Sequence, residues 1–138
     1  MSFLIDTNVI SELRKPAARR NPGVVAWAAQ IDPSEVYISA VTISELSEWV
    51  ARTARRDATQ GAILDGWFQT QVLNTYGDRI LPVDTAVAAR AGTLHVPDRR
   101  DYRDAFIAAT ALEHDLTVVT RNVTDFAPTG AQVLNPFT

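Results

Sequence analysis

Apolar residues fall along the 138-residue chain in two rhythms. Short unbroken runs at residues 3–5, 36–39, 79–83, 117–120 and, more weakly, 132–134 read as strands buried on both faces. Between them, apolar positions recur every third or fourth residue, the period of a helix packed along one stripe. A short helix follows Asn8 with Val9, Ile10 and Leu13 inward. A second opens with Asn21 as N-cap and Pro22 at its first position, and carries Val24, Val25, Trp27 and Ala28. A third runs from about 42 to 55, a long fourth covers 58–76 and is closed by Gly77, and a fifth is capped by Asp84 and ends near Gly92. The last, 103–114, is apolar on nearly every face apart from Thr110, which predicts a helix buried between the sheet and another helix.

Strands that alternate with helices predict an α/β fold with a parallel or mostly parallel sheet covered on both faces. Ligands of such sheets bind beyond the carboxyl ends of the strands, near the point where strand order reverses. Three predicted strands end in polar residues: Asp6, Thr7 and Asn8 after the first, Glu45 soon after the second, and Thr120, Arg121, Asn122 and Asp125 after the fourth. Asp104 opens the apolar last helix.

Each of these residues has a structural use as well. Asp6 or Asn8 can cap the first helix. Thr42 and Glu45 have the spacing of a capping box, although the same spacing leaves Glu45 near the strand ends. Asp104 gains from the positive end of its helix, and Asn122 with Asp125 can shape a turn. Together, however, Asp6, Glu45, Asp104 and either Asn122 or Asp125 make an oxygen-only cluster, the donor chemistry that Mg²⁺ and Mn²⁺ prefer.

Composition narrows the chemistry further. The absence of Cys removes disulfides, thiolate zinc sites and cysteine nucleophiles, and two His leave little for a histidine triad. No apolar run approaches the ~18 residues of a membrane span, so a soluble, cytoplasmic protein without membrane contact is expected. Net charge is −3, yet twelve of the thirteen basic residues are Arg. They cluster at Arg14 with Lys15, Arg19 with Arg20, Arg52, Arg55 with Arg56, and Arg99, Arg100 and Arg103, either as solvated faces or as phosphate contacts. A haloacid-dehalogenase-like phosphatase would want a second Asp where Asn8 stands, and no glycine-rich phosphate loop is present.

The stretches FLIDTNVISEL, SAVTISEL, DAFIAATALEHDLTVVTRN and the ending VLNPF, in this order, resemble the PIN-domain family, and in particular VapC-type toxins of the FitB-like branch. The resemblance covers the whole chain and implies one PIN domain over residues 1–138, a three-layer α/β/α sandwich with a mainly parallel sheet. It also implies a Mg²⁺-dependent endoribonuclease, with Mn²⁺ as a substitute, in which Asp6, Glu45 and Asp104 hold the metal and Asn8 and Thr120 support them. The fourth acidic position of the family falls on Asn122, which puts a second metal in question; Asp125 lies three residues on. Implied partners are an RNA substrate such as tRNA, a VapB-like antitoxin, operator DNA reached through that antitoxin, and a second copy of the chain. Trp27, Trp49, Trp67 and Phe68 are candidates for an antitoxin groove or for the core. The alternative function is a weak or inactive PIN module that works only through antitoxin and operator-DNA complexes.

Overall fold

The computed structural model describes all 138 residues. Strands β1 (Phe3–Ile5), β2 (Val36–Ser39), β3 (Ile80–Leu81), β4 (Thr117–Val119) and β5 (Val133–Leu134) form one sheet in the order β3-β2-β1-β4-β5. Every neighbouring pair is parallel. The helices are α1 (Thr7–Arg14), α2 (Pro22–Ala29), α3 (Ala40–Arg56), α4 (Ala58–Trp67), α5 (Asn74–Tyr76), α6 (Thr85–Thr93), α7 (Tyr102–His114) and α8 (Val123–Phe126).

The pleat of β1 divides the core. Phe3 and Ile5 face Val9 and Ile10 of α1, Leu46 of α3, and Phe68 and Val72. Leu4 faces the other way, onto Val118, Ile107, Ala108 and Phe126. Successive strand side chains point to opposite faces, so three apolar residues in a row are what a strand covered on both sides requires. On the second face, Ala105 and Ala109 of α7 meet Val87 and Ala91 of α6, so α7 is sandwiched between sheet and helix as expected. The α/β/α architecture and the parallel sheet are as the sequence indicated.

Several boundaries differ. The run 79–83 pairs only at Ile80 and Leu81, because Arg79 closes a 3-10 turn and Pro82 has no N–H for a ladder. The long fourth helix is interrupted by a π-helical segment, Phe68–Leu73. Leu64, Phe68 and Val72 are all buried and spaced by four; a wider turn keeps such a stripe on one face where a regular helix would rotate it away. Gly77 follows with φ +46°, a conformation that favours glycine.

The capping box is not formed. β2 runs into α3 without a loop, so Ser39, the last extended residue, is the N-cap and accepts from the Val41 N–H at 3.0 Å. Thr42 is already inside the helix, its hydroxyl buried without a partner. Glu45 is thereby moved into the second turn and freed from any capping duty.

Asp57 ends α3 and caps α4, accepting from the Gln60 N–H at 3.1 Å. The reversal lays Gly61 against Ala54, where an added Cβ would stand 2.3 Å from the Ala54 Cα. Gly61→Ala is therefore expected to lower stability by about 1–3 kcal/mol, measurable by urea unfolding. An unchanged midpoint would mean that the two helices separate freely at this point.

Candidate active site

Sheet order reverses at β1, whose neighbours are β2 on one side and β4 on the other. The carboxyl ends of β1 and β4 are joined there by side chains. Asp6 caps α1, its Oδ1 accepting from the Thr7 N–H at 2.8 Å. Its Oδ2 accepts from the Thr120 hydroxyl at 2.8 Å and from the Asn8 amide at 3.3 Å. The same amide lies 3.2 Å from the Thr120 oxygen, and the Asn8 carbonyl accepts from the Arg121 N–H at 3.2 Å. Thr120 also accepts from the Asn122 N–H at 3.0 Å. Capping and clustering are thus compatible uses of Asp6: one oxygen serves the helix and the other serves the site.

Glu45 extends from α3 toward the same point. Its Oε1 accepts from the Thr7 hydroxyl at 3.0 Å, and its Oε2 lies 3.2 Å from Nη1 of Arg103. Asp104 stands in the first turn of α7, behind Asp101, which caps that helix through the Arg103 N–H at 2.8 Å. Arg103 also pairs with Asp101 at 3.3 Å, so its guanidinium lies across the mouth of the site. Asn122 and Asp125 are exposed around the short α8, and the Asn122 side chain caps nothing.

These residues line a cleft of about 560 Å³ that contains no apolar side chain. Asp6, Asn8, Glu45, Asp104, Asn122 and Asp125 all border it, and Thr120 supports Asp6 from within the core. His95 and His114 lie outside it. The sequence reading gave no site role to Asp101, or to Arg103 apart from its basic cluster, and it passed over the Thr7 hydroxyl as a partner of Glu45. The signal for Asp101 was local: Asp, two residues before Arg103 and three before Asp104, is an N-cap in the position that aims a first-turn carboxylate.

Three carboxyls here resist ionisation. Burial pushes Asp6 above the ordinary carboxylate range, partly offset by the Thr120 and Thr7 bonds. Burial also raises Glu45, with Thr7 opposing and the Asp6 charge adding. Asp104 is pushed up to about 6, by burial first and then by the charges of Asp101, Asp6 and Asp125. Carboxylates withdrawn from water beside one another gain from a cation. The all-oxygen donor set fits a hard divalent ion; no three of the carboxylates are drawn into a closed cage, and Arg103 is engaged with Glu45 in the meantime.

Comparison with known proteins places the chain. The PIN domain family matches residues 3–129. Toxin FitB of Neisseria gonorrhoeae is 35% identical over 140 residues, covering 98% of both chains, and VapC ribonuclease Y4jK of Sinorhizobium fredii is 31% identical over 140 residues, covering 98% of this chain and 97% of its own. A solved structure of FitAB bound to an IR36 DNA fragment superposes with a TM-score of 0.87 at 33% identity, covering 99% of this chain and 96% of that one. The match spans the elements that carry Asp6, Glu45, Asp104 and Asn122, and the chain belongs to the PIN-domain family, with FitB and VapC toxins among its relatives.

Proposed function

We propose that the protein is a Mg²⁺- or Mn²⁺-dependent endoribonuclease and the toxin of a toxin–antitoxin pair. The observation that carries this reading is the convergence of three ionisation-resistant carboxyls, from three different elements, on one wholly polar cleft at the sheet's reversal point. The relatives' names, a ribonuclease and a toxin, agree with it.

In this reading Asp6 and Asp104 hold the cation, fixed by Thr120, Asn8 and the first turn of α7. A bound divalent ion supplies electrophilic assistance at the scissile phosphate and makes a water acidic at neutral pH. Glu45, oriented by the Thr7 hydroxyl, accepts the proton of the attacking water. Arg103 leaves Glu45 for a non-bridging phosphate oxygen, a contact for which its fork is suited. Water attacks phosphorus, the 3′ oxygen departs and takes a proton from solvent, and the products carry 5′-phosphate and 3′-hydroxyl ends. The Asn122 amide can donate to the leaving side but cannot hold a second ion as a carboxylate would.

The FitAB relative, solved on DNA, supports an antitoxin partner that carries the contact to operator DNA, and a homodimer of this chain is part of the same reading. Trp27 and Trp67 border clefts beside α1 that suit an antitoxin segment, whereas Phe68 is core. A second reading, a weak or inactive module acting only through such complexes, is favoured by one observation, the uncharged Asn122 in place of a fourth acid.

Metal binding tests the site directly. A cation must displace the proton that Asp104 retains below about pH 6. Millimolar Mn²⁺ is therefore expected to raise Tm clearly at pH 7.5 and to lose most of that effect by pH 5. Indifference to Mn²⁺ at pH 7.5 would remove the metal from the reading.

A further inference from the structure

Two helical stripes leave the acidic cleft side by side. On α1 they are Thr7, Ser11 and Arg14, spaced by four and three; on α3 they are Glu45, Trp49, Thr53 and Arg56, spaced by four, four and three. Such spacings keep each set on one helix face. A cleft of about 330 Å³ joins Thr7, Ser11 and Glu45 to Trp49, and a second of about 460 Å³ continues from Trp49 to Arg14, Thr53 and Arg56. From Glu45 to Arg56 the path runs about 16 Å along α3.

The far end of this path is basic and aromatic. The Arg14 guanidinium sits 5.7 Å from the Trp49 ring centre and 5.6 Å from that of Trp67, and the two rings meet edge to face at 6.0 Å. Arg14 and Arg56 are exposed, and neither takes part in an ion pair. The acids along the path are already engaged: Asp57 caps α4, and Glu48 pairs with Arg52 at 3.0 Å. Guanidinium groups beside an indole, in a groove continuous with a phosphodiester-cleaving centre, are the components that hold single strands by phosphate contact and base stacking.

We infer that the groove along α3, flanked by α1 near the cleft and by Arg14 and the start of α4 at its far end, is the track for one single-stranded flank of the RNA substrate, with Arg14 and Arg56 on its phosphates and Trp49 under a base. The inference rests on the ribonuclease reading above and names how its substrate is held. A peptide segment of a protein partner, or a second copy of the chain, would call for apolar walls, whereas Arg14, Thr53, Arg56, Asp57 and Gln60 line the far end here and only Trp49 and Leu64 are apolar.

The test uses a fluorescein-labelled single-stranded RNA of about twelve nucleotides, with chelator to stop cleavage, and measures anisotropy across a salt series. Arg14→Gln with Arg56→Gln should weaken binding and lower the slope of log K against log salt by about 1.4, two phosphate contacts' worth for a single strand. Arg55→Gln, the loss of one charge outside the groove, should change either quantity by far less than half as much. Trp49→Phe, which keeps much of the packing, should weaken binding by up to about 10-fold and reduce RNA-induced quenching of tryptophan fluorescence, the remainder coming from Trp67. Losses in the Arg55 variant about half those of the double variant, as the charge count alone gives, would overturn the track in favour of diffuse charge. So would unchanged RNA binding by the double variant, or an altered sedimentation state at unchanged RNA affinity, which would make the face an interface between copies. A parent chain that cuts RNA in Mg²⁺ while these variants bind normally refutes the track alone; a parent that neither binds this strand nor cuts a tRNA pool in Mg²⁺ counts against the ribonuclease reading itself.

Discussion

Replacing Asp104 by Asn is expected to reduce RNA cleavage by about 10³-fold or more, while making the metal-free protein more stable at neutral pH. The loss follows from the role proposed for the carboxylate, since electrophilic assistance by a held cation is worth several kcal/mol in the transition state and each 1.36 kcal/mol is tenfold in rate. The gain follows from the same environment. Folding raises the Asp104 pKa from 3.8 to about 6, so the native state holds its proton more tightly than the unfolded chain does. The resulting penalty is fully present above about pH 6, shrinks as pH falls, and is gone below 3.8. Asn carries no charge and escapes it, so the variant's advantage in Tm should be seen at pH 7.5 and vanish near pH 4. A variant that is both inactive and less stable at pH 7.5 would mark Asp104 as a structural residue whose loss disturbs α7.

The largest effect on stability is expected from Phe126→Ala. Phe126 is fully buried on the second face of the sheet, in one cluster with Leu4, Ile107 and Val118. Truncation of such a side chain costs about 3–5 kcal/mol, roughly 10–20 °C in Tm for a domain of this size. Its position ties the cost to the site, because α8 begins directly after Asn122 and contains Asp125. Amide exchange over 122–126 should therefore accelerate more than exchange in β1. A loss below about 1 kcal/mol would mean that α8 contributes little to the core.

The acidic centre was legible because strands covered on both faces leave a plain signature. FLI, VYIS and TVV are runs that only a two-sided sheet accommodates, and the polar residue that ends each run marks the carboxyl edge. Asn21 with Pro22 and Asp84 announced their helices, since a cap is a local event written in one or two residues.

What the sequence concealed depended on tertiary contact. Thr42 and Glu45 satisfied the spacing of a capping box, but the box needs a free turn before the helix, and β2 delivers Ser39 directly into that position. The π-helical segment is invisible to any pattern that assumes a constant period; it follows from the demand that Leu64, Phe68 and Val72 share one core. Arg103 could be counted among the arginines, yet its placement between Glu45 and Asp101 depends on α3 and α7 being brought together by β1 and β4. Asp6 needed no choice between capping and clustering, because its two oxygens face different elements.

The uncharged Asn122 bears on the proposed chemistry. Asn122 puts a neutral amide on the side of α8, where Asp125 is exposed and makes no side-chain ion pair. In the proposed mechanism the charge developing at the phosphate is offset from the α7 side, where Arg103 lies beside Glu45 and Asp101, without a second cation.

The most direct measurement is cleavage of a purified tRNA pool by the parent protein in Mg²⁺ or Mn²⁺ and in chelator, beside Asp104→Asn purified in the same way. Cuts that need the metal, end in 5′-phosphate and 3′-hydroxyl groups and are missing from the variant are the expected result. Cleavage that persists in chelator, or is equally fast in the variant, would contradict a metal-dependent ribonuclease centred on Asp6, Glu45 and Asp104.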